Sequence, residues 1–349
     1  MCDFRVADEG FHTGRVAATT KGRETCWSHW AAYVAPMGVD PFLQDTPFTN
    51  RVRLLTGFAG RVRTGYYGQG KQIQAGSVSS AITAVGQAIA LATNTNPTKI
   101  VGSDKLLPRL QQMLDGFRKA DPPTTKQLPM EADVPEFLVQ LGLSPEAREL
   151  DRALGDLTMI VFYYLLRIGE YTPKGTRNNS KQTEEFKMGD ITFFAKDKQG
   201  NLRCLPRNAT SDLIAAADGT IMKLDNQKNG WKAACIHQEV NGEHMKCPVR
   251  ALARRVSHLR QHKASGKTFL CKVYAKEGNK YVCAGDVSAG LKVAASILQY
   301  PLTRGIPINS VDTHSLRSGG ANALALSGYS DTQIQKMGRW RGKTFKDYI

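Results

Sequence analysis

A cluster of prolines interrupts the chain about one third of the way along its length. Residues 120–129 read Ala-Asp-Pro-Pro-Thr-Thr-Lys-Gln-Leu-Pro. Adjacent prolines cannot lie inside a helix or a central strand, because proline lacks the amide N–H and fixes its own φ. The 349 residues also exceed the usual size of one domain. We therefore expect two domains, residues 1–125 and 126–349.

Positive charge dominates the sequence, with 47 Lys and Arg against 31 Asp and Glu, a net charge of +16. Residues 51–103 carry six basic residues and no acidic one. Apolar residues there have helical spacing over 54–62 and 78–89, with Ser77 as the expected N-cap. A single-sign stretch on folded helices is typical of a nucleic-acid-binding face. The candidate DNA-binding residues of this stretch are Arg51, Arg53, Arg61, Arg63 and Lys71.

Membrane and secreted proteins are disfavoured. The longest apolar run, Met159–Leu166, is shorter than the ~18 to 20 residues that a spanning helix needs. The first residues lack the charged and apolar segments of a signal peptide. Seven cysteines without a repeating spacing indicate free thiols rather than a disulfide framework. We expect an intracellular protein with no membrane segment.

The second domain is predicted to be mainly helical, with a small antiparallel sheet inserted. Short β-rich runs separated by turn residues mark the sheet, and apolar spacing near 3.6 marks the helices. Strands are expected over 191–194, 202–205, 221–224 and 231–236, the last two joined by a turn at 225–230. Its helices are expected over 133–141, 145–168, 249–262, 287–298, 314–326 and 332–337, and a further helix is expected over 105–119 in the first domain.

Two isolated cations are candidates for chemistry. Arg167 ends an apolar helix and must find an anion or acceptors there, and the ordinary explanation is an ion pair with Glu170. Lys228 lies at the tip of the predicted hairpin, where a lysine is ordinarily a solvated charge. Lys223 and Lys232 flank the same turn and are its rivals.

The last 36 residues are more informative. His314 and Arg317 are three residues apart, on one helix face, and can reach one ligand together. Gly319 and Gly320 follow and allow a large backbone to approach closely. Trp340 and Tyr348 then lie among several cations, an arrangement typical of a surface that faces nucleic acid. The cations named as DNA-binding candidates here are Arg339, Arg341 and Lys343.

The order Arg167, Lys228, His314-Ser-Leu-Arg317, Trp340, Tyr348 resembles the tyrosine recombinase (phage integrase) family, over essentially the whole chain. The segments that most resemble the recombinases of eukaryotic mobile elements, of the Crypton or DIRS type, are Gln227–Gly230, Cys247–Leu252 and Gly338–Ile349.

This resemblance implies a helical core-binding domain and a catalytic domain that close around duplex DNA as a C-shaped clamp. Tyr348 would attack a phosphodiester and form a covalent 3′-phosphotyrosine, without metal, cofactor or ATP. Arg167 and Arg317 would clamp the phosphate oxygens.

The remaining roles are implied in the same way. His314 and the arginines would assist Tyr348, and Lys228 would protonate the leaving oxygen. Trp340 would shape the site, and Glu170 would orient Arg167. A homo-tetramer would hold two DNA duplexes, in the nucleus if the source is eukaryotic.

Alternatives stay open at this point. A regulator derived from a mobile element would bind DNA without turnover, and a type IB topoisomerase would use the same chemistry without a partner duplex. The sequence ends one residue after Tyr348, so the chain is either a fragment or makes its protomer contacts differently. The remaining alternative is a zinc site, because the spacing of His244, Cys247, His258 and His262 weakly resembles that of a zinc finger. A strong prediction would need two cysteines in place of the first pair, His244 and Cys247. We expect no metal.

Overall fold

The structure, a computed structural model of the chain, describes residues 17–123, 127–173, 185–224, 234–342 and 345–346, with side chains from residue 20 onward. The chain divides into two compact units, Met1–Thr124 and Thr125–Ile349. Helices predominate, and the described strands form a four-stranded antiparallel sheet and a separate hairpin. The expected fold class, mainly α with a small antiparallel sheet, is confirmed.

The described part of the first unit is helical. Its inner helix faces bury Trp30, Phe58, Ile82 and Leu110 completely. The helices predicted from apolar spacing are present, but Ser77 is not an N-cap, because its helix begins two residues earlier. The elements are α1 (Ala17–Val34), a 3-10 turn (Ala35–Met37), α2 (Phe48–Arg63), α3 (Ala75–Thr93) and α4 (Pro108–Ala120).

Asp121 holds three of these helices together at the end of the unit. Its carboxylate accepts a hydrogen bond from the Ala75 N–H at 2.8 Å, where α3 begins, and pairs with the Arg63 guanidinium at the end of α2. The Ala75 N–H and then Arg63 lower the pKa of Asp121. Asp121, which follows α4 in sequence, therefore caps an N–H group at the start of α3, the role predicted for the Ser77 side chain.

Helix α3 is long and apolar enough to cross a membrane by length and composition alone. In this fold its Val78, Ile82, Val85 and Ile89 lie in the helical core. The core helix of a globular domain passes the same composition test, so the finding is weak evidence for a membrane span.

The described part of the second unit contains the sheet and the remaining helices. Its core surrounds α6, whose Leu157, Ile160 and Val161 are fully buried. The elements in chain order are α5 (Asp133–Leu143), α6 (Glu149–Tyr164), α7 (Ile168–Tyr171), β1 (Ile191–Lys196), β2 (Leu202–Cys204), α8 (Ser211–Ala215), β3 (Gly219–Leu224), β4 (Ala234–Glu239), α9 (Pro248–Gln261), β5 (Lys272–Ala275), β6 (Gly278–Tyr281), α10 (Ala284–Ile297), α11 (Tyr300–Thr303), α12 (Thr313–Leu326) and α13 (Asp331–Gly338), with 3-10 turns at Met188–Asp190, His244–Lys246 and Ile308–Ser310.

The larger sheet has the strand order β2-β1-β3-β4, with every pair antiparallel. It is attached to the end of α6 by two side-chain bonds. The Tyr164 hydroxyl lies 2.6 Å from Thr220 Oγ1 on β3, and Gln238 Nε2 on β4 donates to the Tyr163 carbonyl at 3.0 Å. The β3–β4 pair is therefore fixed beside the residues that lead to Arg167. The predicted turn at 225–230 lies outside the described residues.

Two further parts of the sequence-based prediction differ from the structure. The helix expected over 145–168 ends at Tyr164, because Leu165 takes a left-handed conformation with φ 49°. The hairpin β5–β6 is absent from the prediction; its strands are four residues long, and the exposed β6, Gly-Asn-Lys-Tyr, lacks an apolar strand pattern.

Helix α12 packs unusually close to neighbouring backbone. A Cβ at Gly319 would lie 1.9 Å from the Met130 carbonyl oxygen, and a Cβ at Gly320 would lie 2.1 Å from that of Phe162. The Met130 N–H also donates to the Ser315 carbonyl, which fixes the segment after the prolines against the start of α12. The close approach expected from these glycines is therefore made by the protein's own backbone.

We expect Gly319→Ala to destabilise the second unit by about 1–3 kcal/mol or more, because a methyl group there overlaps a carbonyl oxygen. Thermal and urea unfolding measure the effect. Gly285→Ala on α10 is the control, since nothing lies within 4 Å of that position, and it should be neutral or slightly stabilising. Equal stabilities of the two variants would refute the close packing.

Candidate active site

The site begins at a left-handed turn that follows α6. Leu165 adopts φ 49°, which directs its carbonyl oxygen toward two guanidinium groups, those of Arg317 and Arg339. Arg167 then takes an extended conformation and precedes the short helix α7. The turn thus converts the end of an apolar helix into an acceptor for buried cations.

Glu170 on α7 holds Arg167 in place. Its carboxylate is fully buried and accepts from the Arg167 N–H at 2.8 Å and from Arg167 Nη1 at 3.2 Å. The ion pair expected from sequence is therefore present. The Arg167 side chain is 23% exposed, whereas that of Glu170 is fully buried.

Arg317 lies deeper than Arg167. It is 2% exposed, and its two Nη atoms donate to the carbonyl oxygens of Leu165 and Gly338. Its guanidinium carbon lies 4.3 Å from the centre of the Trp340 ring, in cation–π contact. Arg317 thereby connects α12, the Leu165 turn and the C-terminal segment.

Trp340 packs against the buried guanidinium of Arg317, on an apolar cluster. It packs in a small apolar cluster with Leu165, Ala321, Ile334 and Phe345. A Cβ at residue 338 would lie 1.5 Å from the Trp340 ring, so the glycine before Arg339 is needed for this ring position. The tryptophan therefore fixes the C-terminal segment against the turn, in addition to contacting Arg317.

His314 lies at the first turn of α12, whose N-cap is Asp312. The residue is exposed, yet the adjoining protein desolvates its ring and lowers its pKa, and the positive charges of Arg317 and Arg167 lower it further. Asp312 opposes this shift. A lowered pKa favours the neutral imidazole, which is able to accept a proton or a hydrogen bond at neutral pH.

The structure brings together four of the six residues proposed for catalysis: Arg167, His314, Arg317 and Trp340. Lys228 and Tyr348 lie outside the described residues, as does Lys232. The other rival lysine, Lys223, is exposed on β3. The choice among the three hairpin lysines and the role of Tyr348 stay predictions.

The basic residues predicted to bind DNA differ in exposure. Arg53, Lys71 and Arg341 are exposed and available to a phosphate. Arg51 is half-buried and donates to the Thr46 carbonyl at 2.5 Å, and the half-buried Arg61 lies over the Tyr33 and Tyr66 rings at 4.9 and 4.7 Å. Lys343 lies outside the described residues.

Arg63 and Arg339 were predicted to bind DNA, and the structure corrects both predictions. Arg63 is 6% exposed and pairs with Asp121. Arg339 is 1% exposed and pairs with Glu170 at 2.8 Å. Both guanidinium groups face protein acceptors instead of solvent, because each lies where a helix end leaves carbonyls or a carboxylate to be satisfied. Nothing in a basic stretch of sequence distinguishes such arginines from surface ones.

The histidines of the zinc-like spacing have other contacts. His258 Nε2 accepts from the Tyr274 N–H at 3.1 Å, and its Nδ1 lies 3.2 Å from Glu149. Burial, then the charge of Arg255, lowers its pKa to about 4. Among the described residues, no group of three or more His, Cys, Asp or Glu side chains is arranged to hold a metal ion.

Comparisons with known proteins add a limited similarity. No protein-family model matches the sequence, and no curated protein matches it significantly. Solved structures of the Tn1549 transposon integrase are similar to this chain. One, in complex with transposon right end DNA, has 13% sequence identity and a TM-score of 0.49, and the match covers 98% of this chain and 92% of that chain. Two others are in complex with circular intermediate DNA. The first has 13% identity and a TM-score of 0.47 and covers 98% of this chain and 92% of that chain. The second has 12% identity and a TM-score of 0.43 and covers 85% of this chain and 80% of that chain. This degree of similarity assigns no role to any residue of the chain.

We expect His314 to titrate below the ordinary histidine pKa of ~6.5. Because the folded-state pKa is lowered, the unfolded state takes up the proton first, and this residue reduces stability as the pH falls below that value. NMR titration of the imidazole, assigned with His314→Gln, measures the pKa. Arg167→Met should raise it by removing one positive charge. A pKa at or above the ordinary value would contradict the electrostatics of the site.

Proposed function

We propose that the protein is a DNA recombinase or integrase of the tyrosine recombinase type, which cleaves and rejoins DNA strands. The observation that carries the proposal is the convergence of Arg167 with His314 and Arg317, from segments far apart in sequence. The charges of both arginines act on His314. A cationic site with a neutral imidazole suits an attack on a phosphodiester, where negative charge develops on the phosphate oxygens.

The reaction would proceed by exchange of phosphorus–oxygen bonds. The Tyr348 oxygen forms a bond to phosphorus, the bond to the 5′ oxygen breaks, and that oxygen takes a proton and leaves as a hydroxyl. Rejoining reverses these steps, so the bond energy is kept in the 3′-phosphotyrosine. Lys228 is proposed as the proton donor and Tyr348 as the nucleophile, both on the basis of the resemblance.

The described residues support separate roles for the two arginines. Arg167 is more exposed than Arg317 and would contact non-bridging phosphate oxygens, with its orientation fixed by Glu170. A neutral His314 is able to accept the Tyr348 proton, which an ordinary phenol with a pKa of ~10 retains at neutral pH. The buried Arg317 adds positive charge to the site and makes a cation–π contact with Trp340.

A DNA-binding regulator without turnover is the second candidate. One observation favours it: both Nη atoms of Arg317 donate to backbone carbonyls, so this guanidinium is engaged within the protein. In that case the same site would bind a phosphate of the DNA backbone without cleaving the phosphodiester bond.

The partners are proposed on the same basis. The substrate is double-stranded DNA, and strand exchange between two duplexes would require a homo-tetramer. The mobile element is proposed to be of the Crypton or DIRS type, and the site of action is intracellular, in the nucleus of a eukaryotic source. The exposed Arg53, Lys71 and Arg341 would contact phosphates.

A covalent adduct is the decisive prediction. The substrate is a nicked duplex that carries the DNA flanking the gene and releases a short fragment when it is cleaved. We expect the wild-type chain to form a covalent protein–DNA adduct on it. The adduct should accumulate, because loss of the fragment prevents rejoining. Denaturing gel electrophoresis with labelled DNA measures the adduct.

The matched control is Tyr348→Phe, which differs by one hydroxyl oxygen and should form no adduct while binding the same DNA. An equal amount of adduct would exclude Tyr348 as the nucleophile. Binding without adduct by both proteins would favour the regulator.

We expect Arg53→Ala and Lys71→Ala each to reduce the slope of log K against log[salt] by about 1, because each removes one phosphate contact. Fluorescence anisotropy with duplex DNA over a series of salt concentrations measures the slope. Lys198→Ala, an exposed lysine in the β1–β2 turn, should leave the slope unchanged. If all three variants behave alike, Arg53 and Lys71 contribute only to the overall charge.

A further inference from the structure

Arg339 makes an unusual set of contacts for a residue in a basic segment. It is 1% exposed and has φ 57°, a left-handed conformation at the end of α13. Its Nη2 donates to Glu170 Oε2 at 2.8 Å and to the Leu165 carbonyl at 3.0 Å, and its Nη1 lies 3.2 Å from the carbonyls of Tyr164 and Met337. The planar fork thus engages four acceptors.

These contacts form a closed ring with Arg167. The Arg339 side chain donates to Glu170, the Glu170 carboxylate accepts from Arg167, and Arg167 Nη2 lies 3.4 Å from the Arg339 carbonyl oxygen. Glu170 is fully buried between the two guanidinium groups. The orientation of Arg167 therefore depends on Arg339 through both its side chain and its backbone.

Arg339 is connected to Arg317 as well. Both side chains donate to the Leu165 carbonyl oxygen. Arg317 also donates to the carbonyl of Gly338, the residue before Arg339. The two arginines thus share one acceptor, the Leu165 carbonyl, and the second acceptor of Arg317 adjoins Arg339 in sequence.

We propose that Arg339 is a positioning residue for strand cleavage, which holds the guanidinium groups of Arg167 and Arg317 at the scissile phosphate through Glu170 and the Leu165 carbonyl and does not itself touch DNA. This inference rests on the proposed function. A lysine would not replace it, because one ammonium group cannot span acceptors on both sides of a planar fork.

The test compares Arg339→Lys with wild type in the full chain, on the nicked duplex described above. We expect DNA affinity within a factor of about 3, and a single-turnover rate of adduct formation lowered about 100-fold, the effect of a small displacement of positioned groups. Arg203→Lys, the same exchange at an exposed ion pair with Asp197, is the control and should change neither quantity. An Arg339→Lys rate within a factor of about 3 of wild type would overturn the proposal.

A second readout does not depend on cleavage. NMR relaxation of the side-chain Nε–H groups of Arg167 and Arg317 should show both rigid in wild type and mobile in Arg339→Lys. If wild type forms no Tyr348-dependent adduct, the proposed function fails, and this measurement alone decides whether Arg339 orders the two groups. Unchanged mobility would overturn the positioning role.

Glu170→Gln covers the case in which Arg339→Lys does not fold. It keeps the shape of the side chain and the buried arginine, but removes the charge through which Arg339 acts on Arg167. It should lower the cleavage rate and retain DNA affinity in the same way. A folded Glu170→Gln variant that cleaves at the wild-type rate would refute the connection through Glu170.

Discussion

The carbonyl oxygen of Leu165 is the acceptor on which the site depends. It is oriented by a left-handed residue at the end of an apolar helix, and two buried guanidinium groups donate to it. One of these belongs to α12 and the other follows α13, so a single backbone atom joins three segments of the second unit. Charged donors make strong hydrogen bonds to such an acceptor, particularly where water is excluded.

The balance of charge around this atom explains the character of the site. Arg167 and Arg339 share the carboxylate of Glu170, and Arg317 lies nearby on carbonyls and an indole ring. Burying charges costs free energy, and removing one partner of a buried pair typically costs about 3–5 kcal/mol. The cluster is therefore held together by its own pairing while keeping an excess of positive charge. Desolvation lowers the pKa of His314, and the charges of Arg317 and Arg167 lower it further. An anionic phosphate would neutralise this excess positive charge.

The sequence predicted the elements that apolar periodicity specifies and missed those that tertiary contacts specify. Helices α2, α3 and α9 follow from regular spacing, and so does the small sheet. The end of α6 was placed too late, because nothing in the residues around Leu165 signals a left-handed turn that distant arginines stabilise. The cap of α3 was assigned to Ser77, because Asp121 reaches it only after the chain has folded back.

The same limit applies to the site. The spacing of His314 and Arg317 on one helix face, and the pairing of Arg167 with Glu170, are local properties that a sequence carries. The burial of Arg63 and Arg339 is not local, since it depends on carbonyls and carboxylates brought from other helices. Composition therefore could not separate these two buried arginines from the exposed cations, whose contact with DNA stays a prediction.

The glycines of α12 also determine how the site is able to move. Gly319 and Gly320 lie against the carbonyls of Met130 and Phe162, where a Cβ would overlap a backbone oxygen. A shift of α12 by one residue would bring the Cβ of Ser318 or Ala321 to one of these positions, so the two glycines disfavour other registers of the helix. The same packing sets the depth of Arg317 relative to α6, so the folding of the second unit places this guanidinium beside the Leu165 carbonyl.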